Sequence, residues 1–317
     1  MRKLPALTAL GVSLAALPAW ETRAATVLAA GDVASCASDR DTATGNLIEG
    51  LSGTVLALGD LAYDDGTSAE FANCYHPVWG SFKARTKPVP GNHEYHTAGA
   101  AGFYGYFAGL AKYYKFTLGR WTLYALNPYV SSGPGSAQAT WFEGALKADP
   151  NQCQLMYWHP PYVSSARHGN SDAAKNLFAL GYKHRVEIAL AGHDHVYERF
   201  AQMNPARQVE AGRGVRLFTV GTGGKSNYAF GAAKPGSVER AQGYGVLRLT
   251  LGDAGTYAWS FRNAAGSTIS DSGNGTCLPE ASTSAPGGGP NGAGPGDPGS
   301  AQETQSVRGP LARPKSD

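Results

Sequence analysis

The chain has 317 residues and a formal net charge of +3 at neutral pH. This charge is too small to indicate a protein that binds nucleic acid or an anionic membrane surface. Once both termini are set aside, residues 26–279 remain, and this length fits one large α/β domain with a sizeable core.

The amino terminus is typical of a secretory signal peptide. A basic start at Met1 is followed by an uncharged apolar stretch from Leu4 to Trp20 and by small residues around Ala25. The stretch is interrupted by prolines and is short for a membrane-spanning helix, although an uncleaved anchor is the alternative. We therefore expect residues 1–25 to be removed and the protein to be secreted or periplasmic, without a membrane anchor.

The first half of the chain begins with a parallel βαβ unit. Residues 26–33 form an apolar strand, residues 42–49 a helix and residues 54–59 a second strand. The elements predicted next are a helix at 70–83, an aromatic-rich segment at 98–114, strands at 114–118 and 121–126, and a helix at 136–147. The two strands flank a turn and form a hairpin, which marks a change to antiparallel geometry.

The second half supplies the remaining strands. The predicted elements are a helix at 171–181, an apolar strand at 186–191, and strands at 215–220, 245–251 and 256–261. The last two alternate apolar and polar residues, as half-buried antiparallel strands do. We therefore expect an α/β (mixed α+β) fold with two stacked mixed sheets flanked by helices. Residues 280–317 are rich in Gly, Pro and Ser and are predicted to be a disordered tail.

Metal-binding residue types follow five apolar segments. They are Asp32, Asp60, Asn92, His159 and the pair His193 and His195. In an open α/β sheet the site lies outside the carboxyl ends of the strands. Alternation beyond the strand end directs His193 and His195 to the same side. An isolated pair of this spacing could equally be two solvated histidines, but the recurrence of the pattern favours a metal centre.

These motifs carry a family resemblance. GDVA (31–34), GDLAY (59–63), GNHE (91–94), the segment at His159 and GHDH (192–195) resemble, in this order, the calcineurin-like metallophosphoesterase superfamily. Tyr63 in the second motif resembles the purple acid phosphatase branch. Ala34 departs from that branch, which usually has a glycine there, and we expect it to alter a turn rather than remove a ligand. The resemblance implies a four-layer sandwich of two sheets and outer helices.

The resemblance also implies a centre of two metal ions. Metal 1 would be bound by Asp32, Asp60, Tyr63 and His195, and metal 2 by Asp60, Asn92, His159 and His193, with Asp60 as the bridge. Ligands of these types, without a thiolate, suit iron, zinc, manganese or cobalt better than copper. A phenol needs a strong Lewis acid to bind as phenolate, which favours Fe(III) at the Tyr63 site and leaves Fe(II), Zn or Mn for the second. The alternative is that Tyr63 is a packed loop aromatic.

Three further histidines are catalytic candidates. In the family, the position of His93 serves the leaving group or a phosphoryl oxygen as a proton donor or hydrogen-bonding group, and a histidine placed like His168 faces the substrate. His96 is included because it lies close to the third motif in sequence. For His93 the alternative is a structural hydrogen bond. Asp194 should point away from its neighbouring histidines, and we expect it to be structural or to orient an imidazole.

Together these features predict a secreted binuclear phosphatase. It would hydrolyse phosphomonoesters, its expected binding partners, by attack of a metal-bound hydroxide. One alternative is a phosphodiesterase on the same scaffold, acting on nucleotides, glycerophosphodiesters or phospholipid headgroups, because the pocket rim rather than the motifs decides between them. The other is a non-catalytic extracellular binding protein, against which the complete set of ligand-type residues argues.

The four cysteines indicate two disulfides, because they follow a signal peptide. Three pairings are possible. Cys36 and Cys74 follow the first and second motifs, so their loops could be neighbours, and we favour Cys36–Cys74 and Cys153–Cys277.

The segment from Gly221 to Ser226 resembles a P-loop only superficially. That pattern needs a glycine where Thr219 stands, and no helix-forming segment follows. We interpret the segment as a glycine turn that leaves a strand beside the site.

Overall fold

A computed structural model describes residues 24–277 of the chain, except residues 150 and 152. The predicted tail at 280–317 lies outside these residues, as does the predicted signal peptide apart from its last two residues. The described residues belong to one compact unit. None of the helices in this part of the chain has the length and apolar character needed to cross a bilayer.

A six-stranded mixed sheet contains both ends of the described chain. Its strands in spatial order are β15 (Ser272–Thr276), β14 (Thr256–Asn263), β13 (Gly245–Leu251), β1 (Ala25–Ala30), β3 (Thr54–Leu58) and β5 (Thr86–Val89). β1, β3 and β5 are parallel, and β13 runs antiparallel to β1. The helix α1 (Arg40–Glu49) lies between β1 and β3 in the chain and completes the predicted βαβ unit.

A seven-stranded mixed sheet is built from the middle of the chain. Its strands in spatial order are β12 (Ser237–Ala241), β10 (Tyr197–Met203), β11 (Val215–Val220), β9 (Ile188–Ala191), β8 (Cys153–Tyr157), β7 (Trp121–Ala125) and β6 (Tyr114–Leu118). β7, β8, β9 and β11 are parallel, and β6 forms the predicted antiparallel hairpin with β7. β2 (Ala34–Ser35) and β4 (Ala62–Tyr63) form a separate short parallel pair.

The predicted helix at 70–83 is divided into short segments. They are α2 (Ser68–Glu70), a π-helical turn (Phe71–Tyr75), α3 (His76–Trp79) and a 3-10 helix (Gly80–Arg85). Pro77 near the start of α3 has no backbone N–H, so a continuous α-helical hydrogen-bond ladder cannot pass through it. Later helical elements are two 3-10 turns (Glu94–His96 and Ala98–Ala100), α4 (Ala101–Tyr106), α5 (Ala137–Lys147) and α6 (Lys175–Lys183).

The main core includes residues from both sheets. Leu56 and Leu247 of the six-stranded sheet share one buried apolar cluster with Leu123 and Ile188 of the seven-stranded sheet. A second cluster joins the other face of the seven-stranded sheet to α5 and α6, through the buried residues Tyr124, Met156, Phe142 and Phe178. Each such side chain contributes about 1.5–3 kcal/mol by its burial. The predicted fold, two mixed sheets flanked by helices, is confirmed.

Both predicted disulfides are present. Cys36–Cys74 joins the residue after β2 to the π-helical turn, and Cys153–Cys277 joins the first residue of β8 to the chain after β15. No cysteine in the described part of the chain is free.

Candidate metal centre

The candidate ligands follow the carboxyl ends of parallel strands in the two sheets. Asp32, Asp60 and Asn92 come after β1, β3 and β5 of the six-stranded sheet, whereas His159, His193 and His195 come after β8 and β9 of the seven-stranded sheet. Backbone hydrogen bonds hold neighbouring strand ends together, as from Asp32 N to Gly59 O at 3.0 Å and from Gly192 N to His159 O at 2.9 Å. One sheet therefore supplies oxygen atoms and the other supplies imidazole nitrogens.

Three of the candidate ligands have left-handed backbone conformations. The φ angles of Asp32, Asp60 and His193 are +62°, +52° and +71°. Residues with a Cβ adopt this region at a cost of about 1–3 kcal/mol, and such strain clusters at functional sites. In each case the residue follows a glycine at a strand end, so the chain turns sharply there.

Two motif glycines allow the strand ends to approach closely. Gly59 has a φ of +86°, and a Cβ added to it would lie 2.6 Å from Nδ1 of His159. A Cβ on Gly91 would lie 2.1 Å from Oδ1 of Asp60. Neither position can carry a side chain unless a candidate ligand moves.

The hydroxyl of Tyr63 contacts all three of the other proposed metal 1 ligands. It donates to Oδ1 of Asp32 at 2.8 Å and lies 3.2 Å from Oδ2 of Asp60 and 3.2 Å from Nε2 of His195. All four side chains are buried. Burial and the charges of Asp32 and Asp60 raise the pKa of the Tyr63 phenol well above its usual value. The four atoms converge closely enough to serve one cation.

The proposed metal 2 ligands form a second convergence around His159. Its Nε2 lies 3.0 Å from Oδ2 of Asp60 and 3.3 Å from Nδ1 of His193. Ligand atoms of Asp60, His159 and His193 all lie within 4.8 Å of one another. Oδ1 of Asn92 accepts a hydrogen bond from the hydroxyl of Tyr129 at 3.4 Å. Asp60 is common to both convergences, as a bridging carboxylate must be.

Two of the imidazoles are oriented by groups outside the centre. Nδ1 of His159 donates to the carbonyl of Leu58 at 2.7 Å, and Nδ1 of His195 pairs with Oγ of Ser226 at 2.6 Å. Each ring therefore directs Nε2 inward, which is how outer partners commonly fix metal-binding histidines. Buried carboxylates and converging ring nitrogens are a donor set that fits transition-metal cations.

The charges in the cluster are tightly linked. Burial raises the pKa of Asp60, but the charge and hydrogen bond of His159 outweigh it, and the net shift is downward. Burial lowers the pKa of His159, but Asp60 outweighs it and raises that pKa to about 9. Burial, followed by the charge of His159, lowers the pKa of His193 to about 3. Near pH 7 His193 is therefore neutral, whereas His159 holds a proton that a metal ion would have to displace.

Two of the three catalytic candidates lie against the centre. The ring of His93 is 4.4 Å from that of Tyr63, and its Nε2 is 3.9 Å from Oδ2 of Asp60. The ring of His168 is 4.3 Å from that of His193. His96 lies one ring further out, 4.7 Å from His93, and its Nδ1 contacts the backbone carbonyl of Asp64 and the side chain of Asp65.

Glu94, the last residue of the third motif, was not assigned a role from sequence. It is fully buried, and its carboxylate accepts hydrogen bonds from the backbone N–H groups of Asp60, Leu61 and Gly91 at 2.9, 2.7 and 2.6 Å. Glu94 thereby fastens the turn that carries Asp60 to the turn that carries Asn92. The position of Glu94 in the GNHE motif could have indicated a role in the site, but only the fold shows what its carboxylate contacts.

Asp194 points away from both neighbouring histidines, as expected. Its carboxylate accepts hydrogen bonds from Ser164 Oγ at 2.5 Å and from His168 N at 2.9 Å. It therefore fixes the loop after His159 rather than orienting an imidazole. This loop carries Arg167 and His168 to the edge of the centre.

The glycine-rich segment after β11 lies beside the centre. Its backbone is bonded to the first motif, from Gly223 N to Gly31 O at 2.8 Å and from Lys225 N to Asp32 O at 2.9 Å. No helix follows it in the described chain before β12, so the interpretation as a turn is supported and the P-loop is excluded. Its continuation places Tyr228 flat against His195, with ring centroids 3.9 Å apart and an interplanar angle of 10°.

Comparison with known proteins agrees with this geometry. A family model described as calcineurin-like phosphoesterase matches residues 25–197, more than half of the chain. Probable purple acid phosphatase 20 of Arabidopsis thaliana is 27% identical over an alignment of 176 positions, which covers 46% of this chain and 39% of that protein. Purple acid phosphatase 21 of the same plant is 27% identical over an alignment of 248 positions, which covers 67% of this chain and 54% of that protein. The chain thus spans about half, or less, of these curated relatives.

Solved structures show the same fold. The purple acid phosphatase PPD1 from yellow lupin (Lupinus luteus) seeds superposes with a TM-score of 0.64 at 18% identity, covering 80% of this chain and 54% of that one. GAP50, the anchor in the inner membrane complex of Plasmodium, has a TM-score of 0.65 at 14% identity and covers 81% of this chain and 90% of that one. The chain therefore belongs to the calcineurin-like phosphoesterase family, in which it is purple acid phosphatase-like.

Proposed function

We propose that the chain is an exported, metal-dependent hydrolase of phosphate monoesters, and that residues 26–279 are its catalytic domain. The observation that carries the activity is the double convergence of ligand atoms on Asp60, with Tyr63 on one side and His159 on the other. The two disulfides support export, because such bonds persist in oxidising compartments.

Seven residues would hold the two cations. Metal 1 takes Asp32, Asp60, Tyr63 and His195, and metal 2 takes Asp60, Asn92, His159 and His193. Two such cations offset the negative charge of the phosphoryl group and make a water molecule a stronger nucleophile. The phenol of Tyr63 favours Fe(III) at metal 1, and the mixed oxygen and imidazole set of metal 2 suits Fe(II), Zn or Mn.

The histidines at the edge of the centre would handle the substrate. Nδ1 of His93 contacts the backbone carbonyl of Asp64 at 2.5 Å, which turns Nε2 toward Asp60 and the reacting phosphoryl group. There it can donate a hydrogen bond or a proton to an ester oxygen. The ring of His168 lies 4.3 Å from that of His193, tilted by 35°, and would contact the substrate from there. His96 shares the Asp64 carbonyl with His93 and would act by positioning it.

The activity is tested with two chromogenic esters. We expect the metal-loaded protein to hydrolyse p-nitrophenyl phosphate with a much larger kcat/KM than bis-p-nitrophenyl phosphate. The reverse preference would identify a phosphodiesterase. A protein that binds no metal and cleaves neither ester would contradict both activities and favour a non-catalytic binding protein.

Matched histidine variants separate the centre from the rest of the surface. His193→Ala should lower kcat/KM by more than the roughly 10–100-fold that loss of an outer-shell partner costs, because it removes a ligand itself. His76→Ala is the control, since His76 lies on α3 and its contact is with Tyr106. Metal analysis and the visible spectrum of the same samples report whether Tyr63 binds Fe(III), through a charge-transfer band that Tyr63→Phe abolishes.

A further inference from the structure

The guanidinium of Arg167 lies at the edge of the candidate metal centre. Its Cζ is 5.2 Å from the ring centroid of Tyr228, and the Tyr228 ring is stacked on His195. Imidazole, phenol and guanidinium thus follow one another outward from the proposed metal 1. Among the described residues Arg167 makes no hydrogen bond and no ion pair from its guanidinium, and the residue is exposed.

The backbone on both sides of Arg167 is fixed. Asp194 accepts from Ser164 Oγ and from His168 N, and the buried carboxylate of Glu198 accepts from Ser165 N at 2.8 Å. Tyr228 is held in turn, because its N–H donates to the carbonyl of His195 at 3.0 Å. The stack is therefore presented by anchored elements rather than by a free loop.

Another cation close to the centre, Lys225, is already paired with a carboxylate. Nζ of Lys225 lies 2.6 Å from Oδ1 of Asp64 and 3.2 Å from Oγ of Ser35, over the ring of Tyr63. Arg167 is thus the guanidinium whose hydrogen-bonding capacity remains open at this edge. A planar guanidinium presents paired donors that match a carboxylate or a phosphate, and stacking on an aromatic ring limits the freedom lost on binding.

We propose that Arg167, supported by Tyr228, binds a second anionic group of the substrate. This rests on the proposed phosphomonoesterase activity and narrows its substrates to phosphate esters whose alcohol portion carries a carboxylate or another phosphate. Tyr228 is a positioning residue, since its ring carries the guanidinium while its hydroxyl makes no hydrogen bond in the described structure. The fold sets the spacing, with one phenol ring between His195 and the guanidinium.

The test compares two substrates that differ at one group. 3-Phosphoglycerate carries a carboxylate where glycerol 3-phosphate carries a hydroxymethyl group. We expect the metal-loaded protein to favour 3-phosphoglycerate in kcat/KM by about tenfold or more, the scale of one charge-assisted pair. Arg167→Gln should bring the ratio of the two kcat/KM values close to one, mainly by raising KM for 3-phosphoglycerate. Arg167→Lys should keep only part of the preference. A ratio near one in the unaltered protein, or a ratio that Arg167→Gln leaves unchanged, would overturn the proposal.

Control variants separate this effect from general damage. Arg120→Gln should leave the ratio unchanged, because Arg120 is an exposed arginine beside Cys153, at the opposite end of the parallel strands. Tyr228→Phe keeps the ring and should keep the preference, whereas Tyr228→Leu should reduce it as Arg167→Gln does. Equal preferences in the Phe and Leu variants would exclude the stack as the support of Arg167.

A binding measurement keeps the proposal distinct from the catalytic one. Calorimetry on the metal-loaded protein compares 4-phosphonobutyrate with butylphosphonate, neither of which a phosphatase can hydrolyse. If neither ester substrate is turned over, the proposed function fails, while an Arg167-dependent difference of about tenfold between the two dissociation constants would still support the anionic subsite. Equal dissociation constants would refute the subsite regardless of activity.

Discussion

Glu94 shows how one buried side chain can hold together two turns of the proposed metal centre. Its carboxylate accepts hydrogen bonds from four backbone N–H groups, those of Asp60, Leu61, Ala62 and Gly91, and it has no exposed surface. In Glu94→Gln an amide N–H group would face these donors, so at least one hydrogen bond would become a repulsive contact. We expect a loss of about 2–3 kcal/mol in the free energy of unfolding, measured by urea denaturation, together with a reduced metal content.

A surface glutamate provides the control for that substitution. Glu143 forms its ion pairs at the protein surface with Lys147 and Lys183. Glu143→Gln should leave the free energy of unfolding nearly unchanged, because solvent screens ion pairs at the surface. If Glu94→Gln were as mild as this control, the proposed role of Glu94 would be wrong.

Asp41 in the first turn of α1 is a buried carboxyl group through which stability should depend on pH. The residue is buried, its Oδ2 has no hydrogen-bond partner among the described residues, and burial raises its pKa to about 6. The folded state therefore binds this proton more tightly than the unfolded chain, whose carboxyl pKa is about 3.9. The resulting stabilisation is complete below about pH 4 and is lost as the pH rises through about 6.

The substitution Asp41→Asn removes this titration. We expect the free energy of unfolding to rise by about 1–2 kcal/mol at pH 8 and to change little at pH 4. Urea denaturation of both proteins at the two pH values measures the difference. An equal gain at both pH values would show that the carboxyl group does not titrate as described.

Sequence motifs indicated the site residues that are marked by their immediate neighbours in the chain. They did not indicate the residues that reach the site only through contacts between distant parts of the chain. Asp32, Asp60 and His193 each follow a glycine at the end of an apolar run, so the motif itself gives their place. Ser226 acts on His195, 31 positions away in the chain. Tyr129 reaches Asn92 across a separation of 37 residues. No periodicity or spacing carries that information, because it depends on how the two sheets are stacked.

At the scale of elements, replacing a helical glycine with alanine should change the stability of the fold in opposite directions at two positions. Gly45 lies inside α1, and a Cβ there would be 2.3 Å from Cγ1 of Val78 in α3. Gly144 lies inside α5, and a Cβ there would meet nothing within 4 Å. Gly45→Ala should therefore destabilise the fold by about 1–3 kcal/mol through overpacking. Gly144→Ala should stabilise it by about 0.5–1 kcal/mol through its helix propensity.

Thermal or urea denaturation of both variants gives the comparison, and each serves as the control of the other. The same sign for the two changes would contradict the close approach of α1 and α3. Activity should be kept in both variants, because neither glycine contacts a proposed ligand.

Among the strands that the sequence patterns missed, β12 and β15 have little apolar content, whereas β10 has several buried residues. β12 and β15 are edge strands in which no residue is fully buried, and neither was predicted. β15 has the sequence Ser-Gly-Asn-Gly-Thr, in which Gly and Asn are residue types that strands disfavour. It forms because β14 offers an open edge for backbone pairing. Central strands such as β3 were predicted because their continuous apolar sequences require burial.

For the whole molecule, the disulfide Cys153–Cys277 closes the longer of the two disulfide loops. Its cysteines are 124 residues apart, compared with 38 for Cys36–Cys74. In the chain-entropy description, removing Cys153–Cys277 should lower the free energy of unfolding by about 4–5 kcal/mol. Removing Cys36–Cys74 should lower it by about 1 kcal/mol less. Paired Cys→Ala variants and guanidinium denaturation test this order. A larger loss for Cys36–Cys74 would mean that its loop stabilises the folded state by more than chain entropy.

The division of ligands between the two sheets has a consequence for biogenesis. The oxygen donors Asp32, Asp60, Tyr63 and Asn92 all precede the first nitrogen donor, His159, in the chain. A growing polypeptide therefore contains the proposed carboxylate ligands long before it contains the proposed imidazole ligands. Neither proposed cation has its full coordination set until the segment through His195 has folded onto the six-stranded sheet. For the proposed ligand set, loading with metal is thus a late step of maturation that follows the folding of the segment through His195.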